Sequence, residues 1–164
     1  MRRLAMKAAA AAMMVLLGAA PALARPLPSG GLTRQEVAAW LEGKGYDAEI
    51  HTGDRSGEVI ITSKISDVNY DIFFYGCARE RCTSVEFLAG WTPADAVTLT
   101  ELNAWNAKRR YAFGYRDDEE NLWVQIDVDL APGGSWELLD ANLSRWGDVV
   151  ASYKSFVDSG GTVE

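Results

Sequence analysis

The stretch Leu122-Trp123-Val124-Gln125-Ile126-Asp127-Val128-Asp129-Leu130 has the most regular pattern in the chain. Apolar residues occupy every second position of it, which predicts a β-strand with one buried face. Pro132-Gly133-Gly134 ends the strand pattern, and Ser135 is a residue type that caps helices. Apolar side chains then recur at three- and four-residue steps, at Leu139, Leu143, Trp146, Val150, Tyr153 and Val157. This stripe predicts a helix that covers a sheet or a partner helix.

Shorter strands are predicted before this one. Residues 59–62 are rich in β-branched side chains, and residues 69–75, 83–89 and 111–115 alternate in polarity. Residues 49–51 give a weaker strand signal. The strands over residues 69–75 and 83–89, with the turn between them, have the pattern of a β-hairpin.

Two further helices are predicted. Thr33-Arg34-Gln35-Glu36 has the spacing of a capping box, whose hydroxyl and carboxylate bind free amides at a helix start, and Gly43 and Gly45 end this helix. The second runs from about Thr98 to Arg109. The order of helix, three or four antiparallel strands, helix, hairpin and helix predicts an α+β fold, an antiparallel sheet with flanking helices on one face.

The first 24 residues have the organisation of a secretory signal peptide. Arg2 and Arg3 supply positive charge, Ala8–Ala20 is almost wholly apolar, and Ala22-Leu23-Ala24 supplies the small residues before a cleavage site. The apolar run is shorter than the about 20 residues that an ordinary membrane span needs. We therefore expect a mature chain of 140 residues (164 minus 24) that starts at Arg25 and is periplasmic or secreted.

The net charge of the mature chain restricts the classes of molecule that it is expected to bind. All 23 acidic residues follow the predicted cleavage site, whereas three of the 16 basic residues precede it, so the mature net charge is 13 minus 23, or −10. Nucleic acids and anionic membranes attract positive charge, and we expect neither as a partner. Prolines and glycines predict a linker over residues 25–32, a single domain follows over residues 33–158, and residues 159–164 form a C-terminal tail.

Cys77 and Cys82 are the only cysteines. In an oxidising compartment such a pair normally bonds, and the strand patterns around it place the bridge at a hairpin end. Thioredoxin-like redox sites use a two-residue spacing, and a metal site needs more ligands than the single His51 can add. The pair is therefore predicted to be a structural disulfide, and no metal or cofactor is expected.

Three segments carry a resemblance to a known family. They are the hairpin Phe73–Cys77 with Cys82 and Val85-Glu86-Phe87, the segment Leu102-Asn103-Ala104-Trp105-Asn106 with Arg109, and Leu122–Leu130 followed by Gly133-Gly134-Ser135. In this succession the chain resembles the YbjN family of bacterial proteins, described as sensory transduction regulators, over roughly residues 33–157. The resemblance implies a fold similar to that of type III secretion chaperones, and it transfers no catalytic residue.

Asn103 and Asn106 lie one turn apart in the second predicted helix, on either side of Trp105. Asparagine is a poor interior helix residue because its amide competes for backbone groups, so both side chains are expected to have partners outside the helix. The interpretation that we favour is structural, with hydrogen bonds to a neighbouring strand or loop. The alternative is a ligand-binding amide pair beside Trp105.

Trp123 lies on the polar side of its strand with Gln125, Asp127 and Asp129. An aromatic ring among carboxylates can bind a cationic or peptide ligand, although a Trp at such a position is more often covered by a helix of the same chain. Residues 117–121 are predicted to form a solvated turn, because they lack the ligand spacing and central glycine of a calcium loop.

These patterns favour a non-enzymatic exported domain that binds a protein or peptide, as a regulatory or chaperone-like module. Asn103, Trp105, Asn106 and Trp123 are its candidate binding residues, and none is assigned as catalytic. Homodimerisation through the stripe Leu139–Val157 and strand addition at a sheet edge are two forms that this binding could take. A hydrolase with a carboxylate pair is the alternative, because Asp and Glu are abundant, although the sequence singles out no pair.

Overall fold

The computed structural model describes residues 24–53, 57–92 and 97–163. Along this part of the chain the helices and strands follow the predicted order, with four strands between the first two helices. They are α1 (Arg34–Gly43), β1 (Glu49–Thr52), β2 (Val59–Ile65), β3 (Val68–Tyr75), β4 (Ser84–Trp91), α2 (Leu99–Ala107), β5 (Phe113–Arg116), β6 (Leu122–Asp129) and α3 (Trp136–Asp158).

The strands form one antiparallel sheet with the order β1-β2-β3-β4-β6-β5. Short connections join β1 to β4 in sequence, and α2 then carries the chain to the far edge, where β5 turns back into β6. The predicted α+β fold class is confirmed. The strand predicted over residues 111–115 begins only at Phe113. Tyr111 is exposed and lies outside the sheet, with its ring centroid 4.2 Å from the Arg145 guanidinium carbon.

The helix starts follow from local sequence. Thr33 and Glu36 form the predicted capping box, and Thr98 with Glu101 forms a second one at the start of α2. The Ser135 hydroxyl accepts a hydrogen bond from the Leu138 N–H and caps α3, as predicted. Each cap satisfies backbone amides that a helix start leaves free.

The helices pack on one face of the sheet, where the core lies. The stripe of α3 is buried there, at Leu139, Leu143, Trp146, Val150, Tyr153 and Phe156. Phe156 takes the last buried position instead of the predicted Val157, which is half-buried. The chain's own sheet therefore covers the stripe that the sequence offered for a homodimer.

Residues 25–32 do not behave as the predicted linker. Leu27 is 8% exposed and Leu32 is fully buried. Leu32 exchanges backbone hydrogen bonds with Cys82 at 3.1 and 2.8 Å. Gly31 has φ +84°, and a Cβ on it would lie 1.9 Å from the Cys82 carbonyl oxygen. The linker prediction rested on the prolines and glycines of this segment. Its two leucines are buried in the core, and their burial holds the segment against the domain.

The disulfide between Cys77 and Cys82 is confirmed, at the turn between β3 and β4. Arg81, beside it, donates to the Gly31 carbonyl at 2.8 Å and to both carboxylate oxygens of Glu36 at 2.9 Å. The end of this hairpin therefore holds the N-terminal segment and the start of α1 together.

The predicted signal peptide, residues 1–24, lies outside the described residues except for Ala24. Within the described ranges, no helix combines the length and apolar character that crossing a membrane requires. In the predicted C-terminal tail, the Val163 carbonyl accepts a hydrogen bond from the Lys108 ammonium at 3.2 Å.

Candidate functional site

The second face of the sheet has no helical cover among the described residues. On β3 and β6 the positions that face the helices are buried, whereas the alternate positions are half-buried or exposed. We call this surface the open face. Its central members are His51, Ile60, Thr62, Asp71, Phe73, Tyr75, Glu86, Leu88, Gly90, Phe113, Tyr115, Trp123, Gln125 and Asp127. Tyr75 and Phe113 are 43% and 47% exposed, and exposed aromatic rings of this kind are enriched at interaction surfaces.

A concavity of about 580 Å³ lies on the open face, and we call it the trough. Its apolar wall consists of Ile60, Phe73, Leu88, Tyr115 and Trp123. Asp71 and Asp117 also line it, whereas no Lys or Arg of the described residues does. An apolar hollow with a few polar groups is the usual form of a binding site.

Trp123 forms part of the trough instead of packing under a helix. Its ring lies against Gly90 on the neighbouring strand, where an added Cβ would be 2.5 Å from the Trp123 ring carbon Cζ3. The indole N–H donates to the Asp117 carboxylate at 2.7 Å. The missing side chain at Gly90 and this hydrogen bond together fix the position of the ring.

The turn after β5 positions Asp117. Its carboxylate accepts hydrogen bonds from the Asn121 N–H at 2.8 Å and the Asn121 side-chain amide at 2.9 Å, in addition to the bond from Trp123. Partial desolvation raises the pKa of Asp117, but the hydrogen bonds from Trp123 and Asn121 outweigh it and hold the pKa below its ordinary value. Asp117 therefore places a negative charge at the trough at neutral pH.

A chain of hydrogen bonds across three strands orients Asp71. The Thr62 hydroxyl donates to the Asp71 carboxylate at 2.6 Å, and His51 Nε2 lies 2.7 Å from the same hydroxyl oxygen. Because the hydroxyl has one proton, which goes to Asp71, its oxygen accepts from His51. His51 is thereby a support for Asp71.

Three carboxylates form a strip across the middle of the open face, and we call Asp71, Glu86 and Asp127 the acidic strip. Glu86 is directly opposite Asp127 in the strand register, and Asp71 is a diagonal neighbour of Glu86. Burial, followed by the charge of Asp127, raises the pKa of Glu86, against hydrogen bonds from Gln125 and Tyr75. Like charges on adjacent strands destabilise a sheet, so this arrangement points to a role other than stability.

Asn106 fulfils the structural interpretation. Its side-chain oxygen accepts from the Gly114 N–H at 2.7 Å, and its amide nitrogen donates to the Gly114 carbonyl at 2.9 Å. Gly114 is in β5, an edge strand, so Asn106 occupies the middle of one of the two edges that the sequence offered to a peptide strand.

Asn103 and Trp105 do not join Asn106 in a site. Asn103 is exposed and its side chain makes no hydrogen bond with the described residues, so the expected partner of its amide is missing. Trp105 is fully buried, with its ring centroid 4.8 Å from that of Tyr153. The proposed amide pair beside Trp105 is therefore not formed, and of the candidate residues only Trp123 lies on the open face.

Sequence patterns did not single out the other residues of the trough. One signal was present, because Phe73 and Tyr75 place aromatic rings on the face of β3 that should be polar. Gly90 and Asp117 carried no comparable signal, since their relation to Trp123 depends on strand pairing and on a turn conformation.

The described residues contain no group of three or more His, Cys, Asp or Glu side chains that could hold a metal ion. Glu86 and Asp127, which lie opposite each other on β4 and β6, are a candidate for the alternative carboxylate pair. These two residues are not among those that line the trough.

The match to a family model agrees with the resemblance that the three sequence segments carry. No curated protein and no solved structure matches the chain, so the likeness to type III secretion chaperones stays a prediction. A family model does match, over residues 33–159, and its description is "Putative bacterial sensory transduction regulator". This range spans well over half of the chain and includes every strand and helix of the fold. The chain belongs to the YbjN family.

Proposed function

We propose that this chain is an exported, non-enzymatic regulatory module that binds a protein or peptide partner on the open face of its sheet. The observation that carries the proposal is the trough, an aromatic-walled hollow of about 580 Å³ on a face that no described helix covers.

Two surfaces that the sequence suggested for binding offer less to a partner. The apolar stripe of α3 is buried against the chain's own sheet, and Asn106 occupies the middle of the β5 edge. On the open face, by contrast, the rings of Phe113 and Tyr115 lie tilted to each other with centroids 6.1 Å apart, and Tyr75 is exposed. Because rigid aromatic side chains lose little conformational entropy on binding, they are efficient anchors.

The carboxylates of the open face support binding better than turnover. Asp117 and Asp71 are both held by donors from their own chain, and Gln125 occupies one oxygen of Glu86 at 2.8 Å. A hydrolytic pair needs its oxygens directed at a substrate on a shared cleft. Glu86 and Asp127 do not border the trough.

Export is part of the proposal. The signal-like sequence before Arg25 predicts passage to an oxidising compartment, and the disulfide between Cys77 and Cys82 is compatible with one. A partner in that compartment is therefore expected.

Two lysine substitutions of equal exposure test the docking face. Phe113→Lys changes the open face, and Leu138→Lys changes α3 at a site that is 48% exposed, against 47% for Phe113. Both tagged mature proteins, checked for folding by circular dichroism, are used to capture partners from periplasmic extract, with quantification by mass spectrometry. We expect one partner to bind the wild type and the Leu138→Lys variant and to be lost with Phe113→Lys.

Tyr75→Lys provides a second open-face variant and should behave as Phe113→Lys does. A partner that both open-face variants retain, or that only Leu138→Lys loses, contradicts the proposal. Turnover of an ester or glycoside that Glu86→Gln abolishes would favour the hydrolase instead.

A further inference from the structure

The charge of the open face identifies the kind of segment that fits it. We propose that the docked segment is extended and basic, with an apolar side chain in the trough and Lys or Arg side chains over the acidic strip. This inference rests on the proposed function, because it names the occupant of the same face.

The acidic strip has no basic counterpart on its own strands. The open-face positions of β3, β4 and β6 include Asp71, Glu86, Asp127 and Asp129, and none of them is Lys or Arg. A neutral segment laid over these carboxylates would remove water from them without replacing its hydrogen bonds, which is unfavourable. A cationic segment supplies both charge and donors, so it is the occupant that this surface favours.

The spacing of the face matches an extended chain. Trp123, Gln125 and Asp127 follow one another along one face of β6, and side chains on one face of a strand repeat about every 7 Å. Leu88 lies opposite Gln125 and Asp71, and Glu86 lies opposite Asp127. An extended segment with the pattern apolar-x-basic-x-basic therefore places its first side chain at Trp123 and its two cations near Asp71 and then Glu86.

Aromatic rings border the same path. Tyr75 and Glu86 interact directly, and Phe113 is opposite Gln125 in the strand register. An ammonium or guanidinium that reaches the acidic strip also meets the faces of these rings, which adds cation–π attraction. The pKa of Tyr75 is raised by burial and then by the charge of Glu86, as expected for a site with excess negative charge.

Peptides of defined sequence test the chemistry directly. The probe is a short peptide with Leu-Thr-Lys-Thr-Lys at its centre, and the control peptides carry Gln or Glu in place of both Lys. Binding to the mature wild-type protein is measured by calorimetry and by tryptophan fluorescence. We expect the Lys peptide to bind about tenfold more tightly than the Gln peptide and the Glu peptide to bind more weakly still.

A matched pair of variants locates the effect. Glu86→Gln with Asp127→Asn removes two charges from the acidic strip, and Glu42→Gln with Asp148→Asn removes two charges from exposed helix positions. We expect the first variant to bind the Lys peptide about fivefold more weakly and to lose most of the salt dependence, while the second stays within about twofold of the wild type.

Equal affinity for the Lys and Gln peptides, an unchanged affinity in the strip variant, or no binding of the Lys peptide up to about 1 mM each overturns the inference. These outcomes are separate from a failure of the proposed function. If Phe113→Lys loses the native partner while the Lys and Gln peptides bind equally, the open face stands as the docking surface and only its preference for basic segments is wrong. If both Phe113→Lys and Tyr75→Lys keep the partner, the docking face itself is wrong.

Discussion

Replacing Asn106 by Ala should destabilise the fold by about 1–3 kcal/mol, the cost of leaving a buried polar group without a partner. The substitution removes the bonds of 2.7 and 2.9 Å to the N–H and carbonyl of Gly114, which is buried. A gain of about 0.5 kcal/mol in helix propensity offsets a part of this cost. Urea unfolding of the mature chain measures the difference, and for a domain of this size each kcal/mol lowers Tm by about 3–5 °C.

Asn103→Ala is the matched control, because Asn103 is on the same helix and exposed. We expect it to be neutral or stabilising by about 0.5 kcal/mol through helix propensity. Asn106→Asp keeps an acceptor for the Gly114 N–H but directs a carboxylate oxygen at the Gly114 carbonyl. It should therefore be at least as destabilising as Ala at neutral pH, and less so once acid gives Asp a donor proton. Equal costs for Asn103→Ala and Asn106→Ala would refute the reasoning.

Two Glu variants should show opposite dependence on pH. Burial raises the pKa of Glu86, so the folded wild type loses stability relative to Glu86→Gln as pH rises above the ordinary carboxyl value. For Glu36, desolvation is outweighed by the hydrogen bonds from Arg81 and Thr33, which lower the pKa. Glu36→Gln should therefore reduce the free energy of unfolding by about 0.5–1 kcal/mol at neutral pH and by progressively less in acid. Parallel curves of stability against pH for the two variants would contradict this. Changing Cys77 and Cys82 to Ala should lower the free energy of unfolding by about 2 kcal/mol and leave the fold intact. In the native protein, iodoacetamide should label neither cysteine under denaturing, non-reducing conditions. N-terminal sequencing of the native product should begin at Arg25, and a product that begins at Met1 would contradict export.

The sequence predicted the elements of the fold better than their arrangement. The alternation from Leu122 to Leu130 and the capping residues Thr33 and Ser135 encode local structure, so β6, α1 and α3 lie where expected. The insertion of β6 between β4 and β5 depends on contacts distant in sequence, which periodicity does not report. The segment 25–32 was misread for a related reason, since its leucines are buried only by residues far along the chain.

The candidate site was predictable in smaller part. Trp123 was found because an aromatic ring among polar residues is visible in one strand. The trough needs Gly90 beside it and Asp117 beneath its indole N–H, and both relations come from pairing and turn geometry. The two asparagines differ in their hydrogen bonds because, of the two, only Asn106 is on the side of α2 that meets β5.

The contact between Asn106 and Gly114 also limits how the molecule can assemble. A sheet that can add strands at both edges can grow without limit, which is the geometry of fibres. Here the backbone groups at the centre of β5 are already used by an amide of the same chain. A strand added at β1 would not be matched by a second strand bonded at the centre of β5, so strand addition would favour a closed pair over a polymer. Loss of this one side chain would free the N–H and carbonyl of Gly114 for a further strand.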